Sequence, residues 1–180
     1  LYVTSGHFAK YGEDSFQSIK TPNEGEEFML KPMNCPFHVS IYQQDIRSYR
    51  DLPLKYTELG TVYRYEKSGE LHGLTRPRGF TQDDAHVFCT RSQMKDEIKD
   101  LLELVNTIYK TFGFEYGVEL STKPEKAMGD QKLWDLAEHH LEKSIEKTGK
   151  EYSLNPGDGA FYGPKIDFHL KDALGRTWQC

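Results

Sequence analysis

The segment from Phe80 to Phe88 has the spacing most suggestive of chemistry in this sequence. If it forms a β-strand, alternate side chains share a face, and Gln82, Asp84 and His86 lie together on one of them. Removing a carboxylate and an imidazole from water is costly unless they bind something. The pattern therefore indicates either the floor of a binding site or a solvated edge face whose Asp–His pair is only structural.

The preceding strand-like run also mixes charges on one face. Val62, Arg64 and Glu66 alternate there, and an arginine fork matches the geometry of phosphate or carboxylate. Arg64 therefore indicates either an anion site or a plain ion pair. The chain has a net charge of −5. The stretch from Arg47 to Arg78 nevertheless holds seven basic and four acidic residues, which suits a bound anion of nucleotide size or a chance surface cluster.

Other motifs narrow the chemistry by exclusion. The glycine-rich segment 157–163 reads G-x-G-x-x-x-G and no helix pattern follows it, so we predict a turn that feeds a strand. H-E-x-x-H, paired C-x-x-C and G-x-S-x-G motifs do not occur. Cys35 and His86 are far apart in sequence, so spacing alone supports a metal site weakly. We expect His139 and His140, on a predicted helix, to face solvent.

The composition of the chain indicates the class of protein that holds these residues. A length of 180 residues with 37% hydrophobic residues fits one soluble globular domain. No apolar run is long enough to span a membrane, and three cysteines are too few for a disulfide framework. A reducing, cytoplasmic setting is therefore expected. Because the chain starts at Leu1 and a strand-like pattern stops at Cys180, we expect a piece of a longer polypeptide.

Periodicity predicts the elements that hold the candidate residues. Apolar steps of three and four residues predict helices over about 92–113 and 130–147. Pro36 is tolerated in a first helical turn and predicts a helix over about 36–49. Strands are expected over 54–66, 80–90, 114–121, 151–154, 160–170 and 176–180. The long loop between the first two strands exceeds ordinary hairpin loops, which favours a functional role. Strands joined mostly through turns predict an α+β fold with an antiparallel sheet.

Three segments together resemble one known family. They are Lys-Pro-Met-Asn-Cys-Pro-Phe-His at 31–38, the strand–loop–strand at 63–86, and Gly-Ala-Phe-Tyr-Gly-Pro-Lys at 159–165. In this order they resemble the catalytic domain of a bacterial-type threonyl-tRNA synthetase, a class II enzyme. The resemblance implies a class II catalytic core, an antiparallel sheet flanked by helices. Residues 1–180 would be a partial catalytic domain without most of motif 1, motif 3, and the editing and anticodon-binding domains.

The resemblance also implies roles for individual residues. Arg64 would hold the α-phosphate of ATP, and Arg76 would clamp the phosphates. The other ATP contacts would come from Glu66 at the adenine edge, Phe80 stacked on adenine, and Gln179. His7 matches a histidine implicated in transfer to the tRNA 2′-hydroxyl, where a neutral imidazole acts as general base; an N-cap or structural role is the alternative. Arg64, Arg76 and His7 would thus be the catalytic residues.

The amino-acid pocket follows from the same resemblance. Zn²⁺ would bind Cys35, His86 and a third ligand beyond the C-terminus of this chain. Threonine would contact Met33, Gln82, Asp84, Tyr162 and Lys165. Zinc with three protein ligands keeps open positions, and valine, which lacks the hydroxyl, would leave the metal poorly satisfied. Phe37 stands where some relatives have glycine, and we expect it to narrow the pocket wall.

The implied reaction forms threonyl-adenylate and pyrophosphate from threonine and ATP and then transfers the threonyl group to tRNA(Thr). Mg²⁺ would accompany ATP, and the parent protein would be a cytoplasmic homodimer with no membrane association. The isolated chain is expected to be inactive. Two alternatives stay open: a synthetase-like paralogue with a regulatory role, which would not need an ATP clamp, and a synthetase for another amino acid, against which Cys35, Asp84 and His86 discriminate.

Overall fold

A pair of ten-residue antiparallel strands organises the first half of the chain in the computed structural model, which describes residues 1–12 and 14–180. The chain divides into two units, Leu1–Cys89 and Thr90–Cys180. The elements of the first unit are α1 (His7–Tyr11), β1 (Ile19–Lys20), β2 (Glu27–Phe28), α2 (Cys35–Gln43), β3 (Leu54–Tyr63) and β4 (Gly79–Phe88).

The register of β3 against β4 positions the polar residues. Glu58 lies opposite Asp84, and Gly60 lies opposite Gln82. Along β4 the side chains alternate between exposed and half-buried from Gly79 to His86, as the period of a strand requires. The predicted face with Gln82, Asp84 and His86 is therefore the less exposed face of β4. This confirms the prediction that these three side chains lie on one face.

The second unit packs two helices and a four-stranded sheet. Its elements are α3 (Met94–Thr111), β5 (Tyr116–Ser121), α4 (Gln131–Lys147), β6 (Tyr152–Asn155), β7 (Lys165–Lys171) and β8 (Thr177–Gln179). The strand order is β6-β5-β7-β8; β5 and β6 are parallel and the other pairs are antiparallel. Val118, Leu120 and Ile145 form a cluster of buried core residues. This is the predicted α+β fold with a mainly antiparallel sheet.

Capping residues lie at the ends of both helices of the second unit. The Asp130 carboxylate accepts a hydrogen bond from the Lys132 backbone N–H and caps α4. Gly113 and Gly149 have left-handed backbone angles just after α3 and α4, where glycine avoids a Cβ penalty. Among the described residues, no helix has the length and apolar character to cross a membrane.

Three predicted boundaries are wrong for identifiable reasons. Helix α2 ends at Gln43 and not near 49, because the Arg47 side chain caps the Tyr42 carbonyl at 3.2 Å. A separate 3-10 turn follows at Tyr49–Asp51. Strand β3 ends at Tyr63, since the backbone N–H of Tyr65 turns to the Asp14 carbonyl. Strand β7 begins only at Lys165, because the preceding segment is a tight turn closed by the Ala160–Gly163 bridge.

That turn confirms the prediction for the glycine-rich segment. Gly157 has a φ of +88°, and the Gly159 N–H donates to the Thr122 carbonyl at 2.7 Å. A Cβ on Gly159 would lie 2.5 Å from the same carbonyl oxygen, so the close approach requires glycine.

The prediction that two histidines of α4 face solvent holds for His139, which is exposed. It is wrong for His140, which is half-buried.

Candidate functional site

Asp84 is held by a buried asparagine on the neighbouring segment. The Asn34 side chain is 1% exposed, and its Nδ2 donates to Asp84 Oδ2 at 3.1 Å. Gly60 of β3 packs directly on Asn34: a Cβ at Gly60 would lie 2.7 Å from Asn34 Cγ, closer than carbon atoms approach without displacement. The glycine thus makes the space in which Asn34 fixes the orientation of the Asp84 carboxylate.

His86 is oriented by a second histidine and a carboxylate. Its Nδ1 lies 2.7 Å from Nδ1 of His38, and Nε2 of His38 lies 3.2 Å from Oε1 of Glu58. His38 is 3% exposed and sits on α2. If His38 Nε2–H donates to Glu58, then His38 Nδ1 must accept and His86 Nδ1–H must donate. This series of hydrogen bonds leaves a lone pair on His86 Nε2, which is the state that a metal ligand needs.

The charge of the Asp84 carboxylate affects the pKa of both Cys35 and His86. Burial raises the pKa of the Cys35 thiol, and the Asp84 charge raises it further. Burial lowers the pKa of His86, and the Asp84 charge opposes that effect. A cysteine, which binds zinc as its thiolate, and a neutral imidazole are donors that suit zinc. On this donor chemistry and the orientation of His86, the residues present fit two ligands of a zinc site.

The residues proposed for ATP contact one another at the other end of the strand pair. The Arg64 guanidinium lies 5.3 Å from the centroid of the Phe80 ring, and its Nε donates to the Pro32 carbonyl. Arg76 Nε donates to Glu66 Oε2 at 3.0 Å, and Arg78 Nε donates to the Glu66 carbonyl. Glu66 does form an ion pair, but its partner is Arg76, at 3.0 Å. The anion-site alternative for Arg64 stays open.

Tyr2 contacts both His7 and Met33. The Tyr2 hydroxyl donates to the Met33 carbonyl at 2.6 Å, and burial raises the pKa of Tyr2 to about 12. The His7 ring lies 6.3 Å from the Tyr2 ring, and its Nδ1 is 2.8 Å from the Ser5 hydroxyl. Burial lowers the pKa of His7, which keeps the imidazole neutral near neutral pH. Phe37 also packs its ring edge-on against Tyr2.

Three predicted site residues lie in the second unit, where Asp167 joins two of them. Lys165 Nζ is 3.1 Å from Asp167 Oδ2, and Gln179 Nε2 donates to Asp167 Oδ1 at 2.7 Å. Burial opposes ionisation of Asp167, but hydrogen bonds from Ser121, Gln179 and Lys165 outweigh it and lower its pKa. Tyr162 is exposed and lies in the turn before β7.

Two carboxylates pair with the same lysine, and a third lies near those two. Glu119, Asp158 and Asp167 bring carboxylate oxygens within 4.8 Å of one another. Lys165 Nζ already pairs with Asp158 and Asp167 at 3.1 Å each. The Lys165 ammonium therefore neutralises much of the charge that a cation would need there, and the group is best understood as the support of Lys165.

Sequence reasoning missed four residues that position the predicted ones: Asn34, His38, Glu58 and Asp167. Two of them had a usable signal. Asp167 follows Lys165 by two residues in a strand and so shares its face, and His38 follows Cys35 by one helical turn. Glu58 and Asn34 gave none, because their roles depend on the β3–β4 register and on packing between segments.

Known proteins resemble this chain over nearly its whole length. Residues 16–180 match the family described as tRNA synthetase class II core domain (G, H, P, S and T). The whole chain is 55% identical over 181 residues to a threonine–tRNA ligase of Sulfurihydrogenibium sp. (strain YO3AOP1). It is 56% identical to that of Thermotoga neapolitana. The chain spans 28% of the length of either relative.

A solved structure shares the fold over nearly all of the chain. It is described as the RNA binding domain of threonyl-tRNA synthetase from Cryptosporidium parvum Iowa II. The TM-score is 0.88 at 46% sequence identity, and the match covers 99% of this chain and 44% of that one.

Proposed function

The chain belongs to the class II tRNA synthetase core domain family, and we propose that it is part of a threonine–tRNA ligase that activates threonine with ATP. One observation carries the proposal: a single antiparallel strand pair and its adjoining loop bear both candidate sets of residues. Arg64, Glu66, Arg76 and Phe80 occupy one end, and Asp84 and His86 lie along β4. The names of the relatives, threonine–tRNA ligase, support the same reaction.

For adenylate formation, the protein must bring a carboxylate and the α-phosphate together and neutralise the charge that develops. Such a reaction gains most from positioning and from fixed positive groups. Arg64 would face the α-phosphate while Phe80 receives the adenine ring. Arg76 would leave its ion pair with the Glu66 carboxylate to contact the phosphates, and Glu66 would then be open to the adenine amino group. Mg²⁺ would accompany the ATP phosphates.

For the choice of amino acid, Asp84 would accept a hydrogen bond from the threonine amino group, since Asn34 fixes the Asp84 carboxylate. Cys35 and His86 would hold Zn²⁺ together with a ligand outside this chain. When bound, zinc supplies open coordination positions for the amine and hydroxyl of threonine. Met33, Gln82, Tyr162, Lys165 and Gln179 are proposed to complete the substrate contacts.

For transfer to tRNA(Thr), His7 is the proposed general base, because burial keeps its imidazole neutral. A homodimer in the cytoplasm is the assembly and location that we propose for the intact protein. The alternative of a regulatory paralogue lacks support from the site, since the arginines and Phe80 of the ATP set are all retained.

The test is threonine-dependent ATP–pyrophosphate exchange by a chimera in which these 180 residues replace the matching segment of the Thermotoga neapolitana relative. We expect strong exchange, and we expect the isolated chain to show none. Arg64→Gln should lower the exchange rate by about 10²–10³-fold, as for loss of one group that stabilises transition-state charge. The matched control, Arg91→Gln, removes an exposed arginine outside the site and should change little. A chimera that folds and exchanges nothing contradicts the proposal.

A further inference from the structure

A cavity of about 490 Å³ opens in the second unit beside α3, the end of α4 and the sheet. Its wall includes Leu102, Val118, Ile145 and Phe168, of which the first three are buried in the core. The volume lies within the range of small-molecule sites, about 300–1,000 Å³. None of the lining residues takes part in the proposed synthetase reaction.

Lysines concentrate around this cavity. Lys95, Lys99, Lys147 and Lys150 line it, with Asp96 and Glu103 as the acidic members. The unit as a whole holds 13 basic and 16 acidic residues between Thr90 and Cys180. The cavity is therefore positive within a unit whose net charge is negative, and such an arrangement attracts an anion.

The lysines differ in how they are neutralised. Lys99 pairs with Glu103 at 3.4 Å, and the Lys150 ammonium lies 3.9 Å from the centroid of the Tyr116 ring. Lys95 and Lys147 instead lie beside each other, and this contact lowers the pKa of Lys147, with Asp96 opposing the effect. Two adjacent ammonium groups repel, so an anion between them would relieve that repulsion.

We infer that this cavity binds a small organic anion whose apolar body lies against Val118 and Ile145 and whose carboxylate lies between Lys95 and Lys147. The apolar wall and the paired ammonium groups select for both parts of such a ligand. A purely inorganic anion would leave the apolar wall in contact with water. A neutral apolar molecule would leave the lysine repulsion in place.

The test compares three probes of equal length on the 180-residue chain: octanoate, octanamide and octylammonium. Binding is followed at low ionic strength by backbone amide chemical shifts in NMR spectra. We expect saturable binding of octanoate, at least about tenfold tighter than that of octanamide, because hydrogen bonds between charged groups are stronger than those of a neutral amide. The shifts should centre on Val118, Ile145 and Lys147, and octylammonium should not saturate.

Variants separate charge recognition from simple apolar binding. The double variant Lys95→Gln/Lys147→Gln should weaken octanoate binding by about tenfold and leave octanamide unchanged. The matched control Lys132→Gln/Lys171→Gln removes two exposed lysines outside the cavity and should leave both affinities unchanged. Circular dichroism verifies that each variant folds.

Two results would overturn the inference. Equal affinities for octanoate and octanamide would mean that the lysines only cover the apolar wall with their alkyl stems, as lysines commonly do. Saturable octanoate binding with shifts centred away from Val118 and Ile145 would place the ligand elsewhere.

Discussion

The packing of Gly60 against Asn34 makes a quantitative prediction about two substitutions. In Gly60→Ala, the new Cβ would lie 2.7 Å from Asn34 Cγ, so the buried amide must move. Forcing one extra carbon into a packed site costs about 1–3 kcal/mol of the free energy of unfolding. Asn34→Ala removes the hydrogen bond to the Asp84 carboxylate, at a cost of about 1.5–3 kcal/mol.

Combined, the two substitutions should cost less than the sum of the single effects. Asn34→Ala removes the atoms that the new Cβ meets, so the methyl of Ala at position 60 has room. We expect a coupling free energy of about 0.5–3 kcal/mol between the sites, the range for residues in contact. The assay is urea unfolding of the four proteins in the cycle, followed by far-ultraviolet circular dichroism.

The control for this cycle is Gly69→Ala. A Cβ there meets no atom within 4 Å, so the free energy of unfolding should change by less than about 0.5 kcal/mol. If the effects of Gly60→Ala and Asn34→Ala add to within about 0.3 kcal/mol, the steric relation between these residues is wrong.

Three further predictions follow from buried contacts. His38→Ala should weaken zinc binding by the chimera about 10–100-fold, since it frees the His86 ring; competition with a chelating dye measures this, and an unchanged affinity contradicts the orientation of His86. Asp167 has its pKa lowered below the usual 3.8, so its contribution to stability is present above about pH 4 and is lost as the pH falls through the folded-state pKa. Urea unfolding should therefore show a stability difference between the protein and Asp167→Asn that shrinks below about pH 4, and a constant difference refutes it. Leu120→Ala should cost about 2–5 kcal/mol in the same assay, because Leu120 is 2% exposed; a cost below 1 kcal/mol, roughly, would place Leu120 outside the core.

The sequence predicted the elements better than their ends. The apolar steps of α3 and α4 and the alternation along β4 are local properties, so these elements were found within a few residues. The end of α2 depends on the Arg47 side chain returning to the Tyr42 carbonyl. Such a contact has no periodic signature, and the helix was therefore predicted too long.

The same distinction applies to the candidate site. The face with Gln82, Asp84 and His86 follows from strand alternation, which a sequence displays directly. The partners of these residues come from other segments: Asn34 contacts Asp84 over 50 positions, and His38 contacts His86 over 48. Those partners depend on how the strand pair and α2 pack, which residue spacing does not encode.

The most direct measurement is the amino-acid selectivity of ATP–pyrophosphate exchange by the chimera, together with its zinc content. The account predicts about one bound zinc, as for a single Cys/His site, and exchange with threonine far above that with valine. Cys35→Ser should lose the zinc and the threonine exchange, whereas Cys180→Ser, which alters an exposed thiol, should keep both. Threonine exchange that persists at full rate in zinc-free Cys35→Ser would contradict the account.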